Sequence, residues 1–152
     1  MAITQAMTNS FKVDILSGGM NFNTTNRALS SNTQDTFKIA LYTSSATMDS
    51  STTAYSTTNE VVGTGYTAGG NTLTNVAPTS SGTTGYVSFN NTTWSTATIT
   101  ARGALIYNSS STNYTNPAVA VLDFGTDKSS SAGNFTIQFP AATSSTAVLT
   151  LS

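Results

Sequence analysis

From Thr36 to the C-terminus the apolar residues of this chain recur at every second position, and the stretches between them are built from Ser, Thr, Asn and Gly. A repeat of two is that of a half-buried β-strand, so the pattern confines the chain to an all-β fold. Phe37, Ile39 and Leu41 alternate with Lys38, Ala40 and Tyr42, and Ala97, Ile99 and Ala101 with Thr96, Thr98 and Thr100. Phe135, Ile137 and Phe139 alternate with Asn134, Thr136 and Gln138, and Ala147, Leu149 and Leu151 with Val148, Thr150 and Ser152. Leu73 marks a weaker strand, and Tyr86 to Phe89 is a short apolar and aromatic run. Leu105 to Tyr107 follows Arg102-Gly103, where Gly103 marks a bulge or bend. Ala118 to Phe124 is apolar on both faces and reads as a central strand. The connectors are 43–59, 63–71, 77–85, 108–116, 125–133 and 141–146. About seven or eight short strands at regular spacing predict a β-sandwich or jelly-roll-like domain over residues 35–152. The expected core holds Phe37, Ile39, Leu41, Ile99, Leu105, Val119, Val121, Phe135, Ile137, Phe139 and Leu149.

The first 22 residues differ and form an N-terminal helix or arm. Ile3, Met7, Phe11 and Ile15 recur every four residues, one stripe of a helix. Gly18 and Gly19 supply its stop. Alternatively Ser10 caps a shorter helix over Phe11 to Leu16, and residues 1–9 form an extended arm.

Composition excludes more than it assigns. Thr, Ser and Asn number 31, 22 and 14, so hydroxyls and amides stand where most surfaces carry charge; charged residues are 7%. Without Cys there is no disulfide, thiolate nucleophile or sulfur-ligated metal. Without His the usual general base and commonest metal ligand are missing, and Ser-His-Asp and Cys-His catalysis with them. Lys12, Arg27, Lys38, Arg102 and Lys128 are scattered, which argues against nucleic acid and against a charge-driven membrane surface role. The longest apolar run, Pro117 to Leu122, has strand length, and the N-terminus lacks the pattern of a secretory signal. Synthesis in a cytoplasm is expected.

Motifs that resemble chemistry have plainer readings. Gly63-Thr-Gly65-Tyr-Thr-Ala-Gly69-Gly70 is one residue off the dinucleotide fingerprint and lacks a βαβ setting, so it reads as a turning loop. Asp123-Phe124-Gly125 reads as a strand end and turn, and Asp123 with Asp127 as solvated turn residues rather than a calcium loop. Nothing in the sequence brings Glu60 and Asp123 together as a glycosidase pair. No catalytic residue, metal or cofactor is expected. Trp94 is either a core anchor beside the Ile99 strand or an interface residue, and Tyr55, Tyr66 and Tyr114 are further interface aromatics.

Five segments, in this order along the chain, carry a resemblance: DTFKIALYTSSATM (35–48), TTNEVVGTGYTAGG (57–70), TATITARGALIYN (96–108), PAVAVLDFGTDKSS (117–130) and GNFTIQFPAA (133–142). With Ser10-Phe11-Lys12 and Gly18-Gly19 near the start, they resemble a family of small virion structural proteins of tailed bacteriophages. The resemblance implies a virion component. Within that class, size and character suggest a capsid cement or decoration protein on the capsid exterior. Such a protein clamps the major capsid protein by multivalent non-covalent contacts and is often trimeric. A tail, baseplate or fibre component contacting the host surface is the alternative. For docking anchors the expectation is Phe11, Ile15 and Leu16, with Met20 and Phe22 after the glycines. The competing reading of this helix is that it covers one end of its own sandwich.

Overall fold

A computed structural model describes residues 2–23 and 33–152. Eight strands and one helix are defined in it: β1 (Ala6–Met7), α1 (Asn9–Leu16), β2 (Phe37–Tyr42), β3 (Asn71–Thr72), β4 (Asn75–Ser81), β5 (Thr84–Phe89), β6 (Thr92–Asn108), β7 (Ala118–Ile137) and β8 (Leu149–Leu151). They form two antiparallel sheets, β1-β7-β6-β2-β3 and β4-β5-β8. The all-β expectation with a short N-terminal helix therefore holds.

The alternating residues explain how the sheets meet. Phe37, Ile39 and Leu41 of β2 pack with Val87 and Phe89 of β5 and Leu149 of β8 in one core shared by both sheets. Every expected core residue is buried except Phe139, which is half-buried against that core. The opposite face of β2 was expected to meet water, yet Ala40 and Tyr42 are buried. A second cluster covers them, with Leu105, Tyr107 and Val121 from the sheet and Ile3, Ala46 and Met48 from outside it. The 43–70 connection thus lies across the large sheet, and β2 is buried on both faces.

Two expected connectors are strands. Residues 77–85 belong to the β4–β5 hairpin, which turns at Gly82 (φ 58°). Residues 125–133 lie within β7. The reason is shared: Ser and Thr were read as loop formers, but a β-branched Thr fits a strand, and cross-strand hydroxyls bond one another. Thr100 Oγ1 lies 2.8 Å from Ser129 Oγ, and Ser130 Oγ donates to Ala97 O at 2.9 Å. Bulges shift the register along the long β6–β7 pair. Arg102 alone faces residues 124–127 of β7, between the Ala101–Lys128 and Gly103–Asp123 pairs. Gly103 does mark a bulge: a Cβ there would stand 2.5 Å from Leu122 O.

The N-terminus follows the arm reading, with a different cap. Ile3 bridges to Met48, and Ala6 and Met7 pair with Val121 and Ala120, so the first two members of the four-residue stripe are extended. Thr8, not Ser10, caps α1: its Oγ1 accepts from Phe11 N at 3.3 Å and donates to Ala118 O at 3.0 Å. That second bond fixes the helix start to β7. Gly18 (φ 74°) ends the helix as expected, and Gly19 N donates to Asp14 O at 2.7 Å.

Candidate functional site

Four of the five expected anchors, Phe11, Ile15, Met20 and Phe22, line one cleft, and Leu16 is not among its lining residues. Phe11 is fully buried, held edge-on to Phe22 at 5.9 Å, and Phe22 stacks on Phe37 at 4.2 Å with an interplanar angle of 3°. These two side chains belong to the protein's own core and also line the cleft beside α1, so they form its inner surface and do not protrude from the molecule. An apolar side chain three residues after a capping Thr that is tied to β7 is directed inward. Ile15 and Met20 are half-buried against the same core. Leu16 is 88% exposed.

Between α1 and the small sheet opens a cleft of about 230 Å³. Ile15 and Met20 line one side, Pro78 of β4 and Val87 of β5 the floor, and Leu149 and Leu151 of β8 the other side. Gly85 lines it too, and a Cβ there would meet nothing within 4 Å. Leu151 (54% exposed) brings exposed apolar surface to the lining, and no charged residue lines it. The arrangement offers an uncharged concave surface to an apolar side chain. Leu151 and Pro78 were not anticipated; the alternation marked Leu151 as a strand residue, and nothing in the sequence showed that a cleft would open beside it.

The four aromatics do not join this cleft. Trp94 is in the core, 5.8 Å from the Tyr66 ring and 6.1 Å from Phe135, so the interface reading is corrected in favour of the core. Its Nε1 has no hydrogen-bond partner. Tyr55 and Tyr66 converge on Glu60, the residue sequence reading missed. Glu60 is buried; its Oε2 accepts from Tyr55 OH at 2.6 Å, and its Oε1 from Tyr66 OH at 2.6 Å and Gly69 N at 2.7 Å. Tyr107 stacks on Tyr55 at 4.6 Å and donates to Gly69 O at 2.8 Å. Burial, with the Glu60 charge adding to it, pushes the Tyr107 hydroxyl up to about 12, and burial raises Tyr42, Tyr55 and Tyr66 further. This hub locks the 43–70 connection onto the sheet, and the hydroxyls of the half-buried Tyr55 and Tyr66 are engaged within the fold. Only Tyr114, 55% exposed in the β6–β7 loop, remains an open aromatic of the four.

The other acidic candidates stand apart. Asp123 Oδ1 accepts from Arg102 Nε at 3.2 Å and from Gly125 N at 2.9 Å, and these hold its carboxyl below the usual range, the Gly125 amide foremost. Asp123 and Glu60 therefore belong to separate hydrogen-bond sets. Among the described residues no three acidic side chains gather as a metal site, and no helix is long and apolar enough to cross a membrane. No family model, no curated protein and no solved structure matches this chain.

Proposed function

We propose that this chain is a structural subunit of a tailed-bacteriophage virion, and within that class a cement or decoration protein bound to the major capsid protein on the capsid exterior. The observation that carries the reading is the uncharged cleft lined by part-exposed Leu151, on a molecule that also exposes Leu16 of α1 in a surface of hydroxyls and amides. An apolar patch rimmed by neutral polar groups suits a contact made many times over, each copy weak and the sum strong. The resemblance of the five ordered segments points to the same class. The two antiparallel sheets with their shared core supply a body on which such a contact surface can be held. Multivalency also favours a homo-oligomer, with a trimer expected.

Quantitative mass spectrometry of purified particles tests this. Hundreds of copies per particle, and capsids that rupture more readily when the protein is removed, are the expected results. A handful of copies on the tail would shift the reading to a tail, baseplate or fibre component.

A further inference from the structure

Among the described residues Asp14 is an unfavourably placed charge. It is 5% exposed, and no hydrogen bond or ion pair reaches its carboxylate among the described residues. It stands in the last turn of α1, where no basic residue accompanies it. A helix C-terminus carries partial negative charge, so an anion there is repelled, while a cation would be attracted. Lys12, the one basic residue of α1, is turned to Asn9 Oδ1 at 3.4 Å. Burial without a partner raises the carboxyl above its ordinary value.

The carboxylate is not sealed in. It lines an open cleft of about 480 Å³, separate from the one beside β8. Val13 (62% exposed), Ala54, Pro117 and the exposed Tyr114 form its mostly apolar walls. The walls are preformed: Ala54 bridges to Pro117, Tyr55 N donates to Asn116 O at 3.0 Å, and Ala118 N donates to Thr53 O at 2.9 Å.

We infer that this cleft receives a lysine or arginine side chain of a protein partner, its aliphatic stem on Val13, Ala54 and Pro117, its charged head at Asp14, and Tyr114 beside it. Three features select a cation. A buried carboxylate is costly until paired, the helix end adds to its negative potential, and a tyrosine face attracts ammonium and guanidinium groups. Long basic side chains have this same build, an apolar stem with a charged tip. A saccharide is the competing occupant, since Ser10, Thr53 and Thr115 hydroxyls also line the cleft. Those hydroxyls do nothing to relieve the unpaired charge. The inference does not depend on where in a particle the chain sits.

The test titrates the intact protein, followed by amide NMR, with N-acetyl-arginine N-methylamide and N-acetyl-lysine N-methylamide. The matching citrulline amide and a methyl glucoside serve as neutral controls. Binding of the cationic amides at millimolar concentrations, with shifts centred on Val13, Asp14, Ala54 and Tyr114, is expected. Asp14→Asn should weaken it by about tenfold or more, with the amides of β6 and β7 unmoved. Tyr114→Ala, an exposed position, should weaken it less. The proposal is overturned if the citrulline amide binds as well as the arginine amide, if the glucoside alone moves the cleft, if Asp14→Asn binds undiminished, or if no probe moves it.

Discussion

Thr96 shows how a single residue holds a conformation its own chemistry disfavours. Its φ is 51°, in the left-handed region where a β-branched side chain crowds its own backbone. The cause is local: Ser95 and Thr96 together face Asn134, between the Trp94–Phe135 and Ala97–Gly133 pairs. The bulge lets both Trp94 and Ala97 point into the core. Thr96 is exposed and its side chain makes no bond, so Thr96→Gly should raise unfolding free energy by roughly 0.5–1 kcal/mol, read by chemical denaturation. Glu60 is the opposite case, a strained-looking residue that the fold satisfies completely. Glu60→Ala strips acceptors from two phenols and an amide and should cost about 3 kcal/mol. Glu60→Gln retains one oxygen for Tyr66 and Gly69, turns its amide to Tyr55, and should cost about 1 kcal/mol. The raised tyrosines also set an alkaline limit. A phenol whose folded value lies above its unfolded one contributes stability below pH 10 that is lost as pH rises toward 12. Tyrosinate absorbance and loss of structure should therefore appear together in that interval. None of this was legible in the sequence: Glu60 sits among Ser, Thr and Gly, and only the path of the 43–70 connection brings its three donors to it.

At the scale of elements, sequence pattern located cores better than boundaries. The alternation at 37–41, 97–101 and 135–137 named buried residues correctly because burial of apolar atoms is what a repeat of two records. It failed at 77–85 and 125–133, where the residues that extend β4 and β7 face water and carry no apolar signal. It failed also at Ile3 and Met7: spacing by four fits a helix, but pairing with Met48 and β7 wins over it. Glycine gave a sharper signal. Gly103 permits the β6 backbone to approach Leu122 O and the Ile3 side chain, so Gly103→Ala should cost about 2 kcal/mol by forcing the bulge apart. Gly85 has open space where a Cβ would stand, so Gly85→Ala should change stability by less than about 0.5 kcal/mol. Thermal denaturation of the pair separates a glycine required by close approach from one that leaves the apolar cleft empty.

For the whole molecule, a chain with 7% charged residues has few side chains of the kind that usually protect sheet edges. The edges are managed otherwise. The large sheet ends in two-residue strands, β4 carries Pro78 in a bulge opposite Val87, and β7 carries extra residues at three places along its pairing with β6. What remains to argue for association is therefore the apolar cleft and the exposed leucines Leu16 and Leu151 rather than the edges. This distinction has a measurable consequence. Contacts between screened charges weaken as salt rises, whereas burial of apolar surface does not. Binding of the protein to particles stripped of it should change less than about twofold between low and moderately high sodium chloride. Leu16→Gln removes an exposed leucine from the surface of α1 without touching the core, so its thermal midpoint should stay near that of the parent. Its binding to the same particles should fall by about tenfold for each site that buries the side chain, since a buried leucine contributes about 1.5–3 kcal/mol. Binding that collapses with salt but tolerates Leu16→Gln would place the contact on the few charged groups and away from the cleft.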